Sequence, residues 1–140
     1  MKKLLVFVAG KYTGDEERCT KEAEVASIKL IRNGFWVITP QKNTFGYEKY
    51  EDENLRYETW TEMYREILLR CDLVYVLQNW VNSPGAKKEV EYAVDNGIAV
   101  VFEDANHSLI DHCTDVELLR CLSGITKLEE ISKESRKCGI

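Results

Sequence analysis

The sequence predicts one three-layer α/β domain, a parallel sheet of four to five strands with helices on both faces. Three observations point to it. Apolar runs of strand length alternate four times with stretches of helical period, the pattern of right-handed β–α–β crossovers. The runs are continuous rather than alternating, as suits strands covered on both faces. Two of the helical stretches close on Asn-Gly pairs, Asn33-Gly34 and Asn96-Gly97, a common helix C-cap.

The first strand is Leu4–Ala9, ended by Gly10. Its lysine-led start resembles a signal peptide only superficially, because the apolar run is short and leads directly into Asp15-Glu16-Glu17-Arg18. No stretch approaches the ~18–20 apolar residues of a membrane span, so a cytoplasmic protein without a membrane partner is expected. A helix follows from about Asp15 to Asn33. Cys19, Ala23, Ala26, Ser27 and Leu30 form its buried stripe. Phe35–Thr39 is a second short strand, stopped by Pro40. The polar and aromatic segment from Gln41 to Tyr57 reads either as a binding loop or lid, or as a partly helical surface excursion.

Trp60, Met63, Tyr64, Ile67, Leu68 and Cys71 share one face of the next helix. Asp72 then precedes a third strand, Leu73–Leu77. A third helix spans Ser83 to Asn96 with Ala86, Val90, Ala93 and Val94 facing the core, and Ile98–Phe102 is a fourth strand. Beyond Glu103, residues 116–122 and 127–135 have helical patterning and no firm fifth strand. The expected organisation is a single domain over residues 1–140, with a core over about 1–103 and a helical extension over about 104–140. Its type is Rossmann-like or flavodoxin-like.

Composition narrows the function. The chain has 140 residues and a formal charge of −5, which disfavours a nucleic-acid duplex as partner, since that partner normally demands a basic face. A small anion held by backbone N–H groups needs no such charge. Five scattered cysteines without a C-x-x-C pair read as reduced thiols, not disulfides or a zinc site. His107 and His112, near Asp111 and Cys113, read as a solvated loop, so no metal is expected.

In parallel sheets, ligands bind beyond the carboxyl ends of the strands. That rule gathers Gly10–Gly14, the loop after Pro40 and Gln78–Gly85 at one edge. Asn82-Ser83-Pro84-Gly85 opens the third helix: Ser83 suits the N-cap, Pro84 the first helical position, and Gly85 close approach of a ligand to the backbone. Such a helix start favours phosphate or carboxylate, although a well-capped helix needs the same residues. Glu89 lies at the border of the buried stripe, while Glu91 and Asp95 point away. A carboxylate there suits a nucleophile or general acid/base, and equally a solvated boundary residue. Gly10-Lys11-Tyr12-Thr13-Gly14 lacks both the nucleoside-triphosphate and the dinucleotide glycine spacing, and no cofactor is expected. Tyr12 and Trp80 are candidates to stack on a base, or to pack.

Val8-Ala9-Gly10-Lys11-Tyr12-Thr13-Gly14, Cys71–Leu77 and Trp80–Gly97 resemble the nucleoside 2-deoxyribosyltransferase superfamily, in particular its small bacterial and phage branch with an A-G-P-Y-T-G start. The superfamily includes 2′-deoxynucleoside 5′-monophosphate N-glycosidases. Its nucleophile is a glutamate followed by x-x-x-A-x-x-x-G, which Glu89, Ala93 and Gly97 match. Its glycosidases carry a phosphate-binding serine six residues before that glutamate and a glycine two residues further on, the places of Ser83 and Gly85. The resemblance implies an N-glycosidase acting on a (deoxy)nucleoside 5′-monophosphate, with Gly10, Tyr12, Trp80 and Asn82 completing the substrate site. It also implies a homodimer or larger homo-oligomer.

The sequence departs from the family pattern at three places. Phe7 replaces a tyrosine that hydrogen-bonds the nucleophile, Tyr64 replaces a proton-donating aspartate, and Lys11 replaces a proline. Glu62 and Glu66 are candidate substitutes for the missing acid. These departures leave a catalytically weakened nucleotide-binding module as the alternative, and a transferase acting on free nucleosides as a third reading.

Overall fold

In the computed structural model, which describes residues 3–103, four strands form one sheet: β1 (Leu5–Ala9), β2 (Trp36–Ile38), β3 (Leu73–Val76) and β4 (Ala99–Phe102). Their order is β2-β1-β3-β4, and every neighbouring pair is parallel. Helix α1 (Glu16–Arg32) links β1 to β2. Helices α2 (Pro40–Asn43) and α3 (Tyr57–Leu69) lie between β2 and β3, and α4 (Pro84–Asp95) links β3 to β4.

Side chains alternate across each strand, so the sheet divides the core into two halves. Val6 and Val8 of β1 pack with Ala23, Ala26 and Leu30 of α1. Phe7 and Ala9, on the other face, pack with Leu68 of α3 and Ala86, Val90 and Ala93 of α4. The buried residues of α1 are the five of the expected stripe, Cys19, Ala23, Ala26, Ser27 and Leu30. Four of them are small, which lets the helix lie close on the sheet. Each fully buried large side chain, such as Leu30 or Phe7, stabilises the fold by roughly 1.5–3 kcal/mol.

Two expectations are adjusted. The helix expected from Trp60 begins at Tyr57, because the Arg56 N–H closes onto Thr59 Oγ1 at 3.1 Å. Within it only Leu68 is fully buried, whereas Trp60, Met63, Tyr64 and Ile67 are half-buried. The Gln41–Tyr57 stretch contains α2 and a 3-10 turn, Tyr47–Tyr50. The helices expected beyond Glu103, both histidines and Cys113, Cys121 and Cys138 lie outside the described residues.

Cys19 and Cys71 are free and buried. Burial pushes the Cys71 thiol up to about 11, which suits an inert core thiol. Among the described residues no helix is long and apolar enough to cross a membrane.

Candidate functional site

The chain leaves β1 towards β2 and leaves β3 towards β4, so the connections diverge between two adjacent strands. Such a switch point opens a crevice at the carboxyl edge. Here Asn79 joins the two sides of it. Its Oδ1 accepts the Lys11 N–H at 2.8 Å and its Nδ2 donates to Glu22 at 2.8 Å. Gly10 is required beneath it, since a Cβ there would stand 2.7 Å from Leu77 Cδ1 and 2.9 Å from Asn79 Oδ1. Lys11 also gains a reason: a proline has no N–H to give Asn79.

Of the helices that begin at this edge, α1 and α4 differ in their first turns. The start of α1 supplies its own negative charge, with Glu16 and Glu17 in the first turn after Asp15, which has no side-chain capping bond. Glu16 also accepts the Gly14 N–H at 3.2 Å. The start of α4 has no acidic residue in its first turn. Ser83 caps it by accepting the Ala86 N–H on Oγ at 3.1 Å, which leaves its own O–H to donate. Pro84 has no N–H, and the Gly85 N–H has no partner among the described residues. The positive helix end therefore retains one backbone donor and one hydroxyl donor without a fixed anion.

Glu89 lies one turn further along. Gly85 abuts α3, where the Tyr57 hydroxyl is 3.2 Å from the position a Gly85 Cβ would take. Tyr92 also faces α3, its ring centroid 5.4 Å from the Arg65 guanidinium. Glu89, four residues after Gly85 and three before Tyr92, shares that flank. It is partly buried and has no hydrogen-bond or ion-pair partner among the described residues. Burial alone pushes its carboxyl up to about 8. Loss of solvent with no compensating donor disfavours the charged form. Phe7, buried on the same side of the sheet, can offer no hydrogen bond.

Tyr12 is also at this edge, but its hydroxyl is committed. It donates to the Glu48 carboxylate (2.9 and 3.0 Å) and accepts the Gly46 N–H at 3.1 Å. Its ring meets Phe45 edge-on. Desolvation, together with Glu48, pushes its phenol up to about 12. On the far side, Tyr47 packs on Trp60, and Trp60 Nε1–H donates to Glu51 at 2.9 Å. The Phe45–Glu51 strap is thus fastened at both ends.

Trp80 is a correction. It is buried in the core, edge-on to Phe102 with centroids 5.1 Å apart, so its ring has no free face for a base. The 3-10 turn Gln78–Asn82 points Trp80 inward and leaves Asn82 exposed. Glu62 and Glu66 lie with Arg65 and Tyr92 in an open groove of about 410 Å³ on the outside of α3 and α4, while Tyr64 turns inward onto Phe7. The residues missed by the sequence reading are Asn79, Glu48 and Tyr57. Only Asn79, a short polar residue just after a strand, carried any local signal. Among the described residues no group of His, Cys, Asp or Glu is placed to hold a metal.

A parallel, doubly wound α/β sheet with its polar features at the carboxyl edge defines a protein of the Rossmann-like class. Within that class the chain belongs to the family described as Domain of unknown function (DUF4406), which matches residues 4–102. Several solved structures share the fold, among them the following two. One is a conserved protein from Enterococcus faecalis V583, with a TM-score of 0.64, 12% identity, and 97% of this chain and 99% of that one covered. The other is the CMP N-glycosidase BcmB of Clostridium botulinum, with a TM-score of 0.50, 20% identity, and coverage of 93% and 95%. No curated protein matches the chain. At these identities the likeness is one of fold.

Proposed function

We propose that the protein is an N-glycosidase that cleaves the base from a (deoxy)nucleoside 5′-monophosphate, with Glu89 as nucleophile. The observation that carries this reading is the pairing of a half-buried, unpartnered carboxylate with an uncommitted helix start one turn away. The Gly85 N–H and Ser83 O–H would hold the 5′-phosphate, with Gly10, Tyr12 and Asn82 bordering the substrate. Fixing the phosphate on α4 would bring C1′ of the sugar towards Glu89 on the same helix. Glu89 would attack C1′ as the base departs through an oxocarbenium-like transition state, and water would then release the sugar phosphate. The fold shared with a CMP N-glycosidase supports this reading, as does the Ser83–Gly85–Glu89 spacing. The reaction calls on no cofactor.

Phe7 supports a second reading. It offers no hydrogen bond, and burial pushes the Glu89 carboxyl up to about 8, which weakens a nucleophile near neutral pH and leaves binding intact. The protein would then be a nucleotide-binding module. Incubation with a panel of 5′-monophosphates and the matching nucleosides, including CMP and dCMP, separates the readings. The enzyme releases free base from the nucleotides, and Glu89→Gln does not. Binding without release supports the module, and base exchange on free nucleosides supports a transferase. As part of the same proposal the chain is a single domain that works in the cytoplasm as a homodimer or larger assembly, which light scattering would test.

A further inference from the structure

Helices α3 and α4 start side by side. Tyr57 is the first residue of α3 and Gly85 the second of α4. The Tyr57 hydroxyl is 3.2 Å from the place of a Gly85 Cβ, closer than an ordinary carbon contact, so the glycine makes room for the phenol. Two helix starts carry like partial charges, and bringing them together is unfavourable unless something negative lies between them. The two first turns hold one carboxylate, that of the exposed Glu58.

The Tyr57 hydroxyl is uncommitted. Its side chain is exposed, and its oxygen has no hydrogen-bond partner among the described residues. Two other tyrosines of this edge differ: the Tyr12 hydroxyl serves Glu48 and Gly46, and the Tyr64 hydroxyl serves Pro40, Asn43 and Thr44. The buried Ser83 Oγ lies 3.9 Å from the same point above Gly85. It accepts the Ala86 N–H and keeps its own O–H to donate. A phenol, an alcohol and the Gly85 N–H therefore border one small space. Each can donate there, and no carboxylate of α4 competes for them.

We infer that Tyr57 is a further binding residue, through which α3 recognises the 5′-phosphate of the substrate; this rests on the phosphate site proposed above for the start of α4. The Tyr57 O–H donates to one phosphate oxygen while Ser83 and Gly85 hold the others, all charge-assisted bonds. The anion also lies between the two helix starts and offsets their repulsion. Tyr57 touches the phosphate and not the sugar or base, so it separates nucleotides from nucleosides without choosing among bases.

The test measures affinity by calorimetry for a panel of 5′-monophosphates, including CMP and dCMP, and for the matching nucleosides. The full chain carries Glu89→Gln, so that bound nucleotide persists. Adding Tyr57→Phe keeps the ring and removes only the hydroxyl. Affinity for the nucleotides that bind is expected to fall about tenfold or more, with nucleoside affinity and Tm unchanged, since no bond within the described chain is lost. Gly85→Ala, which crowds the phenol, should also weaken nucleotide binding, and by less when Tyr57→Phe is already present. Equal loss on nucleotides and nucleosides, or no loss, overturns the assignment and leaves the phosphate site at α4 standing. Nucleotides bound no more tightly than nucleosides before Tyr57 is changed overturn both.

Discussion

Helices α1 and α4 both start at the carboxyl edge of the sheet, yet one start is closed and the other is open. In α1 the positive end meets Glu16 and Glu17 of its own chain, and six residues after the N-cap stands Lys21, exposed and paired with Glu24 at 3.2 Å. In α4 the end is capped by a neutral serine hydroxyl, and six residues on stands Glu89, partly buried and without a partner among the described residues. The same geometry thus serves packing in one helix and, in the proposed function, ligand chemistry in the other. What differs is whether the chain supplies the charge itself.

The largest expected effect is at the sixth residue. Glu89→Gln should lower base release by about 10⁴-fold or more, whereas Lys21→Gln should leave it unchanged; steady-state assays of both variants settle the contrast. Activity of the wild type should also rise with pH through about 8 as the Glu89 carboxyl ionises.

Next in size is stability. The Glu89 carboxyl rises from an ordinary 4.5 to about 8, so in that window the folded chain keeps a proton that the unfolded chain has released. Stability contributed by this group is therefore full below about 4.5 and falls as pH rises through about 8. Glu89→Gln should accordingly be more stable than wild type at pH 8, by on the order of a few kcal/mol less what solvent screens, and equally stable at pH 4. Thermal melts at the two pH values check this. A lower Tm for the variant at pH 8 would show that Glu89 has a partner in the folded state.

A smaller effect is expected at the cap. Ser83→Ala should cost about 0.5–2 kcal/mol in denaturant unfolding and weaken nucleotide binding more than nucleoside binding. The smallest effect would exchange the characters of the two helices. Lys87→Glu puts an acid near the start of α4, which should add about 0.3–1 kcal/mol of stability while weakening 5′-monophosphate affinity in calorimetry. Glu17→Gln should lose a similar amount of stability without touching affinity.

The sequence made these two helices legible to different depths. The α1 stripe could be read residue by residue because periodicity alone decides which face a helix buries. The α4 cap and the border position of Glu89 were equally local. The up-shift at Glu89 was not, since it depends on tertiary burial with no donor to the carboxylate among the described residues. Trp80 misled because a 3-10 turn has too few residues for periodicity to show which side is buried. The Phe45–Glu51 strap stayed ambiguous because Tyr12 and Trp60, distant in sequence, fasten it. Asn79 matters through Lys11 and Glu22, 68 and 57 residues away.

The most direct measurement is the mass of the peptide that contains Glu89 after turnover of a 5′-monophosphate is quenched with acid. The account predicts a fraction of that peptide carrying a pentose 5′-phosphate, and none in Glu89→Gln. Sustained base release with no adduct on that peptide, and with Glu89→Gln still active, would contradict it.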